Sequence, residues 1–205
     1  MKKHGTNVHK LTQLALLIAL ELLMAYTPLG MLPVGPFNAS LLTIPVAIGA
    51  MLLGPATGAL MGAIFGITSF LNAVEGKSAM GVALLSLSPA GYFLQAVGGR
   101  ILCGLVCGWI YLGAKKLLPN HRKLCCGIGA LSAPLLNTLF YMGFMMLLFF
   151  GTEFVQEKAA ALGTANPLAL VIAMVGVQGL GEAVTCCAIA TAVTLPLQRY
   201  LESNP

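Results

Sequence analysis

The chain has 205 residues, 58% of them apolar and 8% charged, with 11 Lys and Arg against 6 acidic residues and a net charge of +5. A soluble domain carries about 25% charged residues, so the surface that would face water is missing, and the mean hydropathy of +0.91 points to an integral membrane protein. A spanning helix takes ~20 residues, so the length leaves room for about six spans and not for a receptor ectodomain or a nucleotide-hydrolysing domain. The basic residues stand in short clusters beside apolar runs, which is the pattern of membrane topology. Nucleic-acid binding would want a basic face on a folded surface instead.

The first ten residues, with Lys2, Lys3 and Lys10, precede an apolar run over 11–26. Glu21 interrupts that run and no small-residue cleavage site follows, so it reads as a retained first helix and not as a signal peptide. The segment 27–40 holds Pro28, Pro33, Pro36, Gly30 and Gly35, too dense a set for a helix to continue. Further spans are predicted over 41–53, 56–73, 96–114, 124–150 and 168–197. Gly54-Pro55 is read as a tight turn, and 74–95 as a long loop with room for a short interfacial helix. The expectation is one all-α membrane domain over 1–205 with six transmembrane helices.

Six spans place both termini on one side. That side would carry Lys2, Lys3, Lys10, Lys115, Lys116, Arg122, Lys123 and Arg199, against Lys77, Arg100 and Lys158 on the other. Eight against three puts both termini in the cytoplasm.

Several apparent motifs carry no chemistry. Gly76-Lys77-Ser78 imitates the tail of a phosphate loop, but the opening glycine would have to be residue 71, which is Leu71. The six cysteines lack CxxC spacing and have no His beside them (His4, His9 and His121 stand in or next to the basic clusters). They read as small apolar filler, with no metal site, no cofactor and no disulfide scaffold. Gly54, Gly58, Gly62 and Gly66 recur every fourth residue. Such a stripe lets another helix backbone approach closely, within the bundle by preference over a docking surface for another subunit.

The intramembrane polar residues are the candidates for function, because each is costly in hydrocarbon. Glu21 and Glu182 lie within spans, with Asn72, Asn137, Tyr141 and Gln178. Asn137 and Tyr141 are four apart on one helix, as are Gln178 and Glu182 on another. Matching depths on facing helices suit a cavity for a small polar molecule, against the plainer reading of interhelical hydrogen bonds. Arg100, at the predicted outer start of the fourth span, either snorkels to the headgroups or faces that cavity and pairs an anionic ligand such as a carboxylate.

The run Pro28-Leu29-Gly30 through Ile44-Pro45, Leu53-Gly54-Pro55, Gly58, Gly62 and Phe65-Gly66-Ile67-Thr68-Ser69 resembles the substrate-binding S components of energy-coupling factor (ECF) vitamin transporters. Asn137-Thr138 and Gly181-Glu182-Ala183 add to the likeness, as does the small-residue pair Ala15 and Ala19 on the first helix, although Leu23 breaks its next step. The branch it looks like binds pantothenate and related vitamins. The resemblance implies a multi-pass protein of a prokaryotic plasma membrane that binds a vitamin from outside under a lid, here 27–40. Asn38 would then reach the ligand. Ala15 and Ala19 would meet a transmembrane T component joined to two cytoplasmic ATPases. Arg100 would match a carboxylate, and Glu182, Gln178 and Asn137 the hydroxyls and amide, with folate-like and other vitamins still open. The rivals are a stand-alone ion-coupled secondary transporter, for which no inverted repeat is visible, and a membrane enzyme, for which no nucleophile–base pair can be named.

Overall fold

The computed structural model describes residues 3–34, 37–164 and 166–203, with the side chains of 3–7, 31–34, 37–39, 177–178 and 201–203 outside the described set. Helix α1 (Lys3–Tyr26) leads through a 3-10 turn at Pro28–Gly30 into an antiparallel hairpin, β1 (Met31–Val34) and β2 (Phe37–Ser40). Then come α2 (Thr43–Leu53), α3 (Pro55–Val74), α4 (Ala79–Leu87), α5 (Pro89–Phe93), α6 (Gly99–Leu117), α7 (Arg122–Phe149), α8 (Glu153–Ala161) and α9 (Pro167–Ser203). Among the described residues, five stretches are long and apolar enough to cross a membrane: Val8–Tyr26, Pro55–Val74, Pro89–Leu117, Arg122–Phe149 and Gly179–Tyr200. The protein is therefore a helical multi-pass membrane protein.

Two departures from the sequence reading matter for the site. The segment 74–95 is helical for most of its length. Ser78 and Ser88 cap α4 and α5 by accepting the Gly81 and Gly91 N–H, each at 3.1 Å, and Pro89 fills the first helical position, where its missing N–H costs nothing. Ser-Pro reads equally as a loop mark and as a helix start; here it is the start. From Pro89 the chain runs through a π-helical turn, Leu94–Gly98, directly into α6. Arg100 therefore stands eleven residues inside the crossing, about 16 Å from its beginning, and not at the membrane surface. The second departure is α2, only 11 residues long, or about 16 Å, half of a ~30 Å hydrocarbon core. The hairpin occupies the preceding stretch, in the register Met31↔Ser40 to Val34↔Phe37, so the region read as a loop contains paired strands.

The glycine stripe packs inside the bundle. A β-carbon at Gly58 would collide with the Gly104 carbonyl, one at Gly62 with the Arg100 carbonyl, and one at Gly66 would come within 2.7 Å of the Ala96 oxygen. Gly104 answers Gly58 from α6, and Gly108 sits against Pro55. Gly54 instead makes the α2–α3 turn, where its φ of 102° suits a residue without a side chain.

Thiols fasten α7 to its neighbours. Pro134 lies inside α7 and cannot donate to the Ala130 carbonyl four residues back. The Cys186 thiol of α9 donates to that oxygen at 3.4 Å, while Cys103 and Cys107 of α6 donate to the Ala133 and Gly129 carbonyls at 3.2 and 3.3 Å. The cysteines are thus apolar filler that also takes up carbonyl valence.

Two apolar clusters divide α7 lengthwise. Cys125 to Leu136 pack with Ala47, Met51, Tyr111 and Cys186, and Met142 to Phe150 with Leu84, Tyr92, Val155 and Leu170. The span between them, from Asn137, is where polar residues gather.

Gly62→Ala forces α3 and α6 apart against rigid backbone, and should lower stability by about 1–3 kcal/mol. Gly113→Ala, with open space around it, should be neutral or stabilising by up to ~1 kcal/mol. Thermal unfolding of the two variants in detergent checks the contrast.

Candidate functional site

A cavity of about 540 Å³ opens at the level between the two apolar clusters, a size within the ~300–1,000 Å³ of small-molecule sites. Helix α3 lines it with Phe65, Thr68, Ser69 and Asn72, positions that share one helical face. From α7 come Asn137, Thr138, Tyr141 and Met142; from α9, Met174, Val175 and Glu182. Arg100 enters from α6, Tyr92 from α5, and Ser40 and Leu42 from the end of the hairpin and the approach to α2.

Arg100 is the central group, 8% exposed. Its guanidinium lies 4.2 Å from the centroid of the Phe65 ring and 4.8 Å from that of Tyr141, over two aromatic rings that favour a cation. Nη1 donates to the Ala96 carbonyl at 2.9 Å. The π-helical turn places that carbonyl one turn before Arg100. Within the same turn Gln95 is fully buried and donates from Nε2 to the Tyr141 carbonyl at 3.3 Å, which ties α7 to the turn behind the tyrosine ring. Arg100 Nε has no hydrogen-bond partner in the protein. The cation is therefore fixed in place and under-satisfied.

Two buried acceptors face the same situation. The Oδ1 atoms of Asn72 and Asn137 have no partner, and each such orphan costs ~1–3 kcal/mol. Glu182, 7% exposed, accepts the Ser40 backbone N–H through Oε1 at 2.8 Å. The cavity thus combines a fixed cation with unpaired carbonyl oxygens and hydroxyls from Ser69, Thr68 and Thr138. Chemically that set matches a small anion that also carries hydroxyl or amide N–H donors.

A family model described as ECF transporter, substrate-specific component, matches residues 9–194. The chain belongs to that family. The matched span includes the run from Pro28 to Ser69 and the Asn137-Thr138 pair. Among known relatives, the pantothenate transporter PanT of Leuconostoc mesenteroides is 29% identical over 83% of this chain and 79% of its own length. The pantothenic acid transporter PanT of Lactococcus lactis is 26% identical over 91% of this chain and 92% of its own. The family and the names of these relatives point to a role in transport at a prokaryotic membrane, in keeping with the apolar helices above.

Of the residues singled out from sequence, Asn72, Arg100, Asn137, Tyr141 and Glu182 all line the one cavity. The side chains of Asn38 and Gln178 lie outside the described residues. Ala15 and Ala19 are exposed on α1. Glu21 does not reach the cavity. It is the one buried position of Val8–Tyr26, and both its carboxylate oxygens lack a hydrogen-bond partner.

Sequence reasoning missed Phe65, Ser69, Thr68, Thr138, Tyr92 and Ser40 as lining residues. Thr68 and Ser69 stand four and three residues from Asn72, and Thr138 three from Tyr141, so helical spacing from those polar positions is signal enough. Tyr92 fell in the segment read as loop.

Tyr141→Phe keeps a ring over the guanidinium, whereas Tyr141→Ala removes it. Without ligand, the alanine variant should lose about 1–2 kcal/mol of stability and the phenylalanine variant under ~0.5 kcal/mol. Thermal unfolding of the ligand-free protein distinguishes them.

Proposed function

We propose that the chain is the pantothenate-binding subunit of an ECF-type importer. The observation that carries the reading is Arg100, an intramembrane cation over the rings of Phe65 and Tyr141 in the wall of a cavity with unpaired Asn oxygens. Pantothenate has one carboxylate, one amide and two hydroxyls. The carboxylate takes the guanidinium, and the hydroxyl and amide donors take Asn72 Oδ1 and Asn137 Oδ1. Tyr141 serves as ring and hydroxyl; Gln178 on α9 and Asn38 on β2 are further proposed contacts, their side chains lying outside the described residues. The names of the Leuconostoc and Lactococcus relatives support the same vitamin.

In this reading residues 1–205 form one membrane domain with six crossings. The hairpin and the short α2 together make the sixth. The same reading puts Lys10, Lys115, Lys116, Arg122, Lys123 and Arg199 on the cytoplasmic side, against Lys77 and Lys158 on the other. With Arg100 inside the membrane the imbalance grows, supporting cytoplasmic termini. The cavity then loads from outside. ATP is hydrolysed elsewhere, on two cytoplasmic ATPases joined to a transmembrane T component. The T component docks on the exposed Ala15/Ala19 face of α1, where small side chains admit close helix approach.

Calorimetric titration of the purified protein with a panel of B vitamins, without ATP, should show tight binding of pantothenate alone. Arg100→Ala should weaken it about 100-fold or more; undiminished affinity in that variant would remove the carboxylate assignment. Ala15→Leu with Ala19→Leu should leave pantothenate binding intact and cut uptake at least about tenfold in cells that express the whole importer.

A further inference from the structure

We infer that Glu182 is a positioning residue: its carboxylate holds the hairpin in place as a wall of the ligand cavity. The hairpin has two strands and so two unpaired edges. Leu41 N–H donates to the Gly30 carbonyl at 2.9 Å, one step beyond the Met31↔Ser40 pair. Antiparallel ladders alternate between bonded and non-bonded pairs, so the Ser40 N–H turns outward, away from β1.

Its depth makes that N–H costly. Leu42, two residues on, packs in one apolar cluster with Phe65, and Phe65 carries the Arg100 guanidinium. Strand β2 therefore ends at the level of the intramembrane cation, where a backbone N–H turned away from its ladder needs an acceptor from a neighbouring helix or from the cavity. Glu182 supplies the acceptor from α9, and a carboxylate makes the stronger kind of bond to a backbone N–H. Ser40 and Leu42 both line the cavity, so a hairpin that drifted from α9 would take part of the wall with it.

The test uses the full chain. In hydrogen exchange without ligand, Glu182→Ala should speed exchange in the peptide covering residues 38–42 about tenfold and leave α3 and α6 unchanged. Glu182→Gln keeps a carbonyl acceptor and should restore protection of 38–42 to within about threefold of wild type. A second arm rests on the pantothenate reading: Glu182→Ala should speed dissociation about tenfold, by the same factor for pantothenate and for an analogue lacking one hydroxyl. Unchanged exchange at 38–42 in the alanine variant would overturn the inference, as would a glutamine variant that exchanges as fast as alanine. A loss confined to the hydroxylated ligand would overturn it too, by making Glu182 a direct ligand contact. If wild type binds no pantothenate, the vitamin assignment fails while the exchange arm still decides the role of Glu182.

Discussion

The backbone contact between α3 and α6 is the constraint on which the rest depends. Gly58, Gly62 and Gly66 let the two helices meet main chain to main chain, and Gly62 meets the carbonyl of Arg100 itself. In lipid, helices gain little from apolar burial against each other, so close approach and the dispersion it brings are the means of association. The same approach sets the depth of the Arg100 cation. Four residues along α3 from Gly62 is Gly66, and between them Phe65 turns its ring under the guanidinium. Bulk on either helix would lift Arg100 off that ring.

A fixed cation in hydrocarbon is expensive even on the mildest scales, ~2.5–3.5 kcal/mol at the centre of a helix. The protein offsets part of this with two aromatic faces and the Ala96 carbonyl. It leaves the Asn72 and Asn137 oxygens without partners. A merely structural polar cluster satisfies its members, because a half-satisfied network is worse than an apolar core. Unpaired oxygens also occur away from the cavity, as at Glu21, so it is their convergence with a cation on one cavity that separates this cluster from plain interhelical hydrogen bonds.

Much of the site was legible because charge is scarce. With 8% charged residues, each polar side chain inside a span stood out, and five of those named converge on one cavity. The spacing of Gly58, Gly62 and Gly66 likewise announced a close helix contact. What sequence could not give was depth. Arg100 looked superficial because Ser88-Pro89 was read as a loop, when serine was capping a helix and proline opening it. The π-helical turn that follows has no composition signal, and it aims the Ala96 carbonyl at the guanidinium. The hairpin was hidden for a related reason. A segment rich in Pro and Gly excludes helix, but strand pairing of four residues on each side depends on a register that no local pattern specifies.

The short α2 explains why these features occur together. A full-length second helix would fill that part of the bundle with its own side chains and satisfy its own backbone. Stopping the helix at Thr43 leaves room at mid-depth, and the room is bounded by strands whose outward N–H groups need acceptors. The Ser40 N–H meets Glu182 there. The volume of the cavity, the hairpin beside it and a carboxylate facing a cation across the same space therefore arise from one departure from helical geometry. Glu21, sealed in the apolar face of α1 with no partner, shows the contrast. It is as buried as Glu182 or more so, yet no hydrogen-bond donor of the protein reaches either of its carboxylate oxygens.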